Sequence, residues 1–383
     1  MHVAVTETER YAARDIHGMD VLHEALMSLT TFTVPFLRSP LHLPRNCAAT
    51  TLLLCAAAVC ATSTAHAARA YVSNEDEHTV TVIDTDRNTV VATIAVGKRP
   101  RGLQLSHDQK RLYVALSGLP KCPPTVPDEE CEKLGRDLKA DGVAAVDTKT
   151  LKVMQVFSAG SDPEQFDLGA DGRLFVANED SATATVIDVK SGKVIARVPV
   201  GKEPEGVRIS PDGAWVLVTN ESDNSISILD SHTLKVMRSV AVGKRPRDIA
   251  FTPDGKTAYV SGEFDSSLYR IRVPEGAPVE RVVQLRPEAR PMSVRLDGKR
   301  KRLYVSTGRG GTVAVIDIAG TPKLLQEVKV GARPWGMALS ADGTRLYTAN
   351  GPSNDVSVID TATLTVISRI PVGRSPWGVA VSR

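Results

Sequence analysis

Short runs of alternating apolar and polar residues dominate the chain from residue 70 onward. Val356–Asp360 alternates in this way, between the runs Leu346–Asn350 and Leu364–Val372. Runs of this length, separated by Asn-, Asp- and Gly-containing turns, are typical of antiparallel β-strands joined in sequence order. No stretch shows the 3.6-residue period and capping residues of a helix. The pattern therefore predicts an all-β structure.

The same four-strand pattern recurs along the chain, and a proline opens one strand of each copy. These prolines are Pro100, Pro163, Pro204, Pro246, Pro291, Pro334 and Pro376. Their intervals are 63, 41, 42, 45, 43 and 42 residues, and the one long interval has its excess between Ser117 and Asp141. Four strands in a repeat of about 42 residues are the pattern of a propeller blade. The sequence predicts a seven-bladed β-propeller with one insertion, at residues 117–141.

The two ends of the repeat array predict how the ring closes. Residues 70–74 have the sequence of a second strand, whereas residues 376–383 have that of a first strand. One blade would then combine strands from both ends of the chain, which leaves no open sheet edge at the seam. An open β-solenoid is the alternative, but split end repeats favour a closed ring.

Residues 1–67 are interpreted as a targeting region, and residues 68–383 as the propeller. Arg45 precedes an apolar run from Cys47 to Ala61, and Ala65–Ala67 has the small-x-small pattern of a signal-peptidase site. The run is shorter than the ~20 apolar residues of a membrane span. We therefore expect cleavage after Ala67, export to the periplasm and no membrane span.

Two cysteines remain in the exported part of the chain. Cys122 and Cys131 lie close together in the proline-rich insertion, and Cys47, Cys55 and Cys60 leave with the targeting region. Two nearby cysteines in an exported protein predict a disulfide. Because the insertion joins a second strand to a third, we expect it to overhang the channel mouth. We expect the protein to be a monomer.

The residues on either side of each repeat proline predict a site at one mouth of the central channel. Those after the proline are Arg101, Glu164, Glu205, Arg247, Met292, Trp335 and Trp377, and those before it are Arg99, Asp162, Glu203, Arg245, Arg290, Arg333 and Ser375. The ten predicted ligand-binding residues are Arg99, Arg101, Glu164, Glu205, Arg245, Arg247, Arg333, Trp335, Arg374 and Trp377. Tryptophan offers a flat apolar face and arginine binds carboxylate or phosphate in a bidentate way. Alternatively, tryptophan and arginine pack the rim together while Glu164 and Glu205 form ion pairs.

We expect Arg99, Arg101, Arg333 and Arg374 to crowd around the two tryptophans, because the last blade adjoins the first. An anionic, partly aromatic small molecule or a protein loop would fit such a site.

Other residue patterns argue against a metal site or a cofactor site. His78, His107 and His232 are the histidines after residue 67, and they are far apart in turn-like sequence. Motifs for zinc, covalent haem or a serine nucleophile are missing. The acidic segments 74–77, 178–180 and 220–223 are interpreted as solvated turns, because they lack the spacing of a calcium loop. We expect no metal, no catalytic residue and no cofactor.

Three motifs resemble the YVTN-repeat propeller family over residues 70–383. They are Tyr71–Asn74, Val80–Asp84 and Val96–Gly102. The resemblance is strongest to exported propellers associated with pyrroloquinoline-quinone-dependent alcohol catabolism. It implies a periplasmic, non-enzymatic binding or accessory protein, with a quinoprotein dehydrogenase or a transporter component as a partner.

Two other function classes stay open at this point. One is a lactonase-type hydrolase that uses Asp162, Glu164 and Glu205. The other is single-stranded nucleic-acid binding, which arginine and tryptophan on one face would suit. The formal net charge of only +3 disfavours nucleic acid as a partner.

Overall fold

The computed structural model describes residues 68–121, 130 and 135–383, and these residues form 28 β-strands in seven four-stranded antiparallel sheets. The seven-bladed propeller predicted from the repeat is confirmed. The targeting region 1–67 and both Cys122 and Cys131 lie outside the described residues, so signal cleavage and the disulfide stay predictions.

Each blade has its first strand at the channel and its fourth strand at the outer edge. Blade 1 contains β28 (Pro376–Val381), β1 (Arg69–Asn74), β2 (Thr79–Asp84) and β3 (Thr89–Ala95). Blade 2 contains β4 (Pro100–Leu105), β5 (Arg111–Leu116), β6 (Gly142–Asp147) and β7 (Lys152–Phe157). Blade 3 contains β8 (Pro163–Leu168), β9 (Arg173–Asn178), β10 (Thr183–Asp188) and β11 (Val194–Pro199). Blade 4 contains β12 (Pro204–Ile209), β13 (Trp215–Asn220), β14 (Ser225–Asp230) and β15 (Lys235–Ala241).

The remaining three blades follow the same order. Blade 5 contains β16 (Pro246–Phe251), β17 (Thr257–Gly262), β18 (Ser267–Arg272) and β19 (Glu280–Gln284). Blade 6 contains β20 (Pro291–Asp297), β21 (Arg302–Thr307), β22 (Thr312–Asp317) and β23 (Lys323–Lys329). Blade 7 contains β24 (Pro334–Leu339), β25 (Arg345–Asn350), β26 (Asp355–Asp360) and β27 (Thr365–Pro371). A 3₁₀ turn, Glu179–Ser181, joins β9 to β10.

The ring closes through blade 1, as predicted from the split repeat. Strand β1 pairs with β28 in antiparallel register, with Ala70 opposite Val381 and Val72 opposite Val379. Apolar residues of blade 1 then pack against blade 7, where Tyr347 is fully buried. The middle strands of every blade are buried on both faces because neighbouring blades cover them, and this inter-blade core holds the propeller together.

The aspartates that end the third strands make turns. In blade 4, Asp230 Oδ1 accepts hydrogen bonds from the backbone N–H groups of His232 and Thr233 at 2.9 and 2.8 Å. The equivalent aspartates of blades 1, 2, 3 and 7 each accept two such bonds as well. These residues are architectural, because a side-chain acceptor fixes each turn.

A hydroxyl group on the second strand of four blades holds the first strand of the next blade. In blade 5, Ser261 Oγ donates to the carbonyl of Met292 in blade 6 at 2.6 Å and accepts the N–H of Asp248 at 3.1 Å. The other three bonds of this kind run from Ser73 to the Arg101 carbonyl, from Thr219 to the Arg247 carbonyl and from Ser306 to the Trp335 carbonyl. The hydroxyl thereby fixes the residue that follows the next repeat proline.

The variant Ser261→Ala should lower the free energy of unfolding by about 1–3 kcal/mol, because it leaves a buried carbonyl and a buried N–H without a partner. Urea unfolding measures this change. The matched control is Ser239→Ala on the exposed strand β15, for which we expect a change below about 0.5 kcal/mol. Equal losses in the two variants would contradict a role for the hydroxyl bond.

Among the described residues, no helix has the length and apolar character that a membrane crossing requires.

Candidate functional site

The mouth face is the face of the ring that carries the loops before each repeat proline and the loops after each second strand. These two loop sets are joined by backbone hydrogen bonds, such as Glu179 N–H to the Asp162 carbonyl at 3.1 Å and Glu221 N–H to the Glu203 carbonyl at 2.9 Å. The two loop sets therefore share one face of the ring.

The backbone around each repeat proline directs the side chains on either side of the proline towards the mouth. The residue before each proline has a positive φ between 40° and 54°, which is uncommon for residues other than glycine. The pairing of first and second strands is irregular close to the proline in all seven blades. A bulge of this kind redirects side chains, and it brings residues of neighbouring blades together at the mouth.

The Arg101 cluster, which contains Glu75, Arg101, Asp162, Glu164 and Glu179, joins blades 1, 2 and 3. The Arg101 side chain is 6% exposed, and it forms ion pairs with Asp162 at 3.1 Å, with Glu75 at 3.5 Å and with Glu164. Glu179 lies 4.0 Å from the same guanidinium. Burial acts to lower the pKa of Arg101, but Asp162 and Glu75 outweigh it and the pKa is raised. Arg101 therefore stays charged and holds four carboxylates together.

The Arg247 cluster, which contains Glu205, Glu221, Arg245, Arg247 and Glu263, is the corresponding arrangement in blades 4 and 5. Arg247 pairs with Glu221, with Glu205 at 3.5 Å and with Glu263 at 3.7 Å. Arg245 adds pairs with Glu221 at 2.7 Å and with Glu263 at 3.2 Å. Glu164 and Glu205 thus both form the ion pairs that the sequence offers as the alternative to a binding site.

Glu179 differs from the other carboxylates at the mouth in its acidity. Its pKa is raised to about 7, first because of burial and then because of the charge of Glu205, while Arg101 acts in the opposite direction. Asp162 stays ionised because Arg101 and Ser117 more than offset the effect of burial on its pKa. The Glu179 side chain is 26% exposed. It can therefore exchange protons with a water molecule near neutral pH.

The interpretation of the acidic segments as solvated turns is wrong for Glu75 and Glu221. Glu75 is only 7% exposed and Glu221 only 2% exposed, because buried arginines draw both carboxylates inward. Burial acts to raise the pKa of Glu75, but Arg101, Arg99 and Lys121 lower it to about 2. The sequence contains a feature that could have indicated these buried glutamates. In four repeats a glutamate directly follows the second strand, and these residues are Glu75, Glu179, Glu221 and Glu263.

The two tryptophans predicted to be neighbours do stack. The rings of Trp335 and Trp377 are 5.6 Å apart between centroids and inclined at 26°. The guanidiniums of Arg247 and Arg333 lie over Trp335, at 5.3 and 5.0 Å from the ring centroid. The stacked pair of tryptophans and its contacts with arginine are therefore both present at the mouth.

The expected crowding of four arginines around this aromatic pair is only partly correct. Arg333 is there, but Arg101 turns towards its carboxylates and Arg99 pairs with Glu75 at 2.7 Å. Arg374 is exposed and lies 3.5 Å from Glu77 of blade 1. The physical reason is that a buried carboxylate attracts a guanidinium more strongly than an aromatic face does.

A channel with a volume of about 520 Å³ runs along the first strands. Of the predicted site residues, Glu205, Trp335 and Trp377 line it. Deeper in the channel, Asp248 forms ion pairs with Arg208 at 2.9 Å and with Arg295 at 2.6 Å. These internal pairs give one part of the wall a polar surface beside the apolar surface of β24 and β28.

The carboxylates of Asp162, Glu164 and Glu179 are close enough to share a metal ion, with ligand oxygens within 4.8 Å of one another. The guanidinium of Arg101 contacts all three. Because this group already supplies the compensating positive charge, the side chains fit a guanidinium and we assign no metal here.

Two family models match parts of the chain. The model described as Lactonase, 7-bladed beta-propeller matches residues 229–366, and the Cytochrome D1 heme domain model matches residues 136–266. No curated protein matches the chain.

Many solved structures share the fold. One, a putative 6-phosphogluconolactonase from Bacteroides fragilis, is 19% identical with a TM-score of 0.68, over 84% of this chain and 99% of that chain. Hydrazine synthase from Kuenenia stuttgartiensis is 22% identical with a TM-score of 0.65, over 76% of this chain and 92% of that chain. A dihydro-heme d1 dehydrogenase is 19% identical with a TM-score of 0.54, over 79% and 63% of the two chains. The chain is therefore a seven-bladed β-propeller.

The interpretation as a non-enzymatic accessory protein of quinone-dependent alcohol oxidation is wrong. The family models that match are those of lactonases and of a haem d1 domain, and the first of them favours the lactonase-type alternative. The ten predicted ligand-binding residues stay predictions, as do export and the monomeric state.

Proposed function

We propose that this propeller hydrolyses lactones at the mouth face, with Glu179 as the group that transfers the proton. The observation that carries the proposal is the acidity of Glu179, whose pKa of about 7 suits a general base at neutral pH. The match of residues 229–366 to the lactonase family model supports the same reaction class.

The reaction needs a base, an electrostatic stabiliser and a bound lactone. Ionised Glu179 takes a proton from water while the water oxygen attacks the lactone carbonyl carbon. The ring C–O bond then breaks, and the leaving oxygen takes the proton back from Glu179 to give a hydroxy acid. Glu179 returns to its ionised form, so one water molecule is consumed and no other reactant is needed.

The guanidiniums of Arg101 and Arg247 supply the positive charge near this step. Both act electrostatically on Glu179, and both are held in place by buried ion pairs. Fixed positive charge near the developing oxyanion is the arrangement that lowers the barrier of acyl transfer. Asp162 keeps the pKa of Glu179 high by its own negative charge.

Haem binding is the competing function that the Cytochrome D1 heme domain match suggests. The described residues do not fit it well. Among the described histidines, His78 reaches the edge of the Arg101 cluster, where its Nδ1 accepts the N–H of Arg99. The aromatic pair and the Arg247 cluster have no histidine contact among the described residues. We derive no step through a haem.

The proposal is tested by the pH dependence of lactone opening. The full chain should open members of a lactone panel, and kcat/KM should rise as the pH passes through about 7 and then level off, because Glu179 must lose its proton to act as the base. Acid release followed with an indicator, above the uncatalysed rate, measures this. A panel without any enzymatic opening, or a rate that does not vary between pH 5.5 and 8.5, would contradict the proposal.

A further inference from the structure

The outer edges of three neighbouring blades carry positive charge without negative charge beside it. The segments that run from the third strand to the end of the fourth in blades 2, 3 and 4 are residues 148–157, 189–199 and 231–241. They contain seven cations and no carboxylate, and the cations are Lys149, Lys152, Lys190, Lys193, Arg197, Lys235 and Arg238, all exposed. The corresponding segments of the other four blades contain five cations and four carboxylates. We call the three cationic segments the basic edge.

The charge of the basic edge is not neutralised within the described part of the protein. None of the seven cationic side chains forms an ion pair with a described residue. The aspartates that end the third strands of these blades, Asp147, Asp188 and Asp230, direct Oδ1 at backbone N–H groups of their own turns. Even when these three aspartates are counted, seven positive charges face three negative ones. The basic edge therefore complements a partner with negative charge.

A β-bulge turns one apolar side chain outward on each strand of the basic edge. The pairing of third and fourth strands skips Met154 in blade 2, Ile195 in blade 3 and Met237 in blade 4. A bulged residue is left out of the ladder and its strand bends. These three side chains are 55%, 48% and 55% exposed, and each follows a lysine by two positions. Protruding apolar side chains thus alternate with lysines along the edge.

The lysines lie at the end of the edge that is remote from the mouth face. Lys152 is opposite Asp147 in the strand register, and Lys235 is opposite Asp230. These aspartates end third strands, which run away from the mouth face. Strands β11 and β15 contact each other, so blades 3 and 4 form one continuous part of this surface. A partner bound here would leave the mouth face open.

Two kinds of anionic partner have the required charge: an acidic peptide that adds a strand to the edge, and a bilayer that contains anionic lipid. The bulges disfavour an added strand, because they interrupt the row of backbone groups with which it would pair. Pro199 at the end of β11 removes one N–H group as well. A bilayer surface needs no strand pairing. Lysines reach its phosphates through long apolar stems, and protruding apolar side chains enter the interface between them.

We propose that the basic edge of blades 2, 3 and 4 binds the surface of bilayers that contain anionic lipid, with Met154, Ile195 and Met237 entering the interface. This proposal does not depend on lactone hydrolysis. It adds a binding surface on the outside of the ring, and the mouth face then stays accessible from the aqueous phase.

The proposal is tested by cosedimentation with vesicles of phosphatidylcholine alone and of phosphatidylcholine mixed with phosphatidylglycerol. The full chain and residues 68–383, which contain all the described strands, are both measured. Both should bind the mixed vesicles, and binding to phosphatidylcholine alone should be much weaker. Added salt should weaken binding to the mixed vesicles, because it screens the exposed charges.

Two triple variants separate the roles of charge and apolar contact. Replacing Lys152, Lys193 and Lys235 together by Gln should weaken binding to the mixed vesicles by about 100-fold, since each cation near an anionic surface contributes about 5-fold. Replacing Met154, Ile195 and Met237 together by Gln should weaken it by about 10-fold or more, because apolar area is no longer buried. Circular dichroism of each variant checks that it is folded.

The matched control removes the same charge from another part of the ring. Lys301, Lys323 and Lys329 are exposed on blade 6, and their joint replacement by Gln should leave binding within about 2-fold of the original protein, because distant charges are screened. An equal loss in this control and in the basic-edge variant would show that net charge alone is responsible, and would overturn the proposal.

Two further outcomes would also overturn it. Binding that disappears when residues 1–67 are removed would place the contact outside the propeller. Binding of polyglutamate through the three basic-edge lysines, in a protein that ignores the mixed vesicles, would assign the edge to an acidic polypeptide instead of a bilayer.

Discussion

The variant Arg101→Met should lower the free energy of unfolding by about 3–5 kcal/mol, which is the usual cost of removing one partner from a buried ionic network. Glu75, Asp162 and Glu164 all depend on this guanidinium, and methionine fills a similar volume without its charge. Urea unfolding at pH 7.5 measures the loss. Few single substitutions in this propeller should destabilise it as much.

The structure also determines how the destabilisation caused by Arg101→Met changes with pH. The pKa of Glu75 is about 2, below its usual 4.5, so the ion pair contributes stability above pH 4.5 and loses it as the pH falls towards 2. The difference between Arg101→Met and the original protein should therefore shrink in that acid range. As a control, Arg238→Met on exposed β15 should change stability by less than about 0.5 kcal/mol. An Arg101→Met protein with an unchanged urea midpoint would show that the cluster contributes no stability.

The architecture could be predicted from the sequence because its signals are local and repeated. Pro100, Pro163 and their equivalents each mark one inner strand, and the first-strand sequence at 376–383 can pair only with the second-strand sequence at 70–74 if the ring closes. The closeness of Trp335 and Trp377 follows from the same geometry, because adjacent repeats place equivalent positions side by side.

The partner of each arginine could not be predicted in this way. Arg101 has equivalent neighbours on both sides, namely Trp377 in blade 1 and Glu164 in blade 3, and repeat positions do not say which one it contacts. The choice depends on carboxylates of blades 1 and 3 that surround the buried guanidinium, including Glu75, which looked like a turn residue. Electrostatic attraction in the buried site then outweighs the contact with the aromatic ring.

The raised pKa of Glu179 could not be predicted from the sequence either. Its pKa depends on its burial and on the charges of Glu205 and Asp162, which lie on different loops. A segment such as 178–180 has the composition of a solvated turn, and only the folded ring brings these carboxylates close to one another. The recurrence of glutamate after the second strand in four repeats is the feature of the sequence that could have drawn attention to the position.

The variant Glu179→Gln should lower kcat/KM for lactone opening by about 10²–10⁴-fold, the range usual for loss of a general base. The amide has nearly the same shape and keeps the fold, so substrate binding should change little and the effect should fall mainly on kcat. The matched control is Glu280→Gln, because Glu280 is exposed on β19 and pairs with Arg270 at the outer edge. This control should retain the original rate.

Glu179→Gln should also make the protein more stable above neutral pH, which separates a catalytic role from a structural one. The pKa of Glu179 is raised from 4.5 to about 7 in the folded state, so its ionisation disfavours folding as the pH rises from 4.5 through 7. The neutral amide avoids this effect, and the free energy of unfolding at pH 8 should rise by about 1–3 kcal/mol. At pH 4, where the carboxyl is mostly protonated in both states, stability should be nearly unchanged. A variant that loses activity and stability together would indicate that Glu179 is a structural member of the Arg101 cluster, whereas a variant that keeps its rate would remove Glu179 from the mechanism.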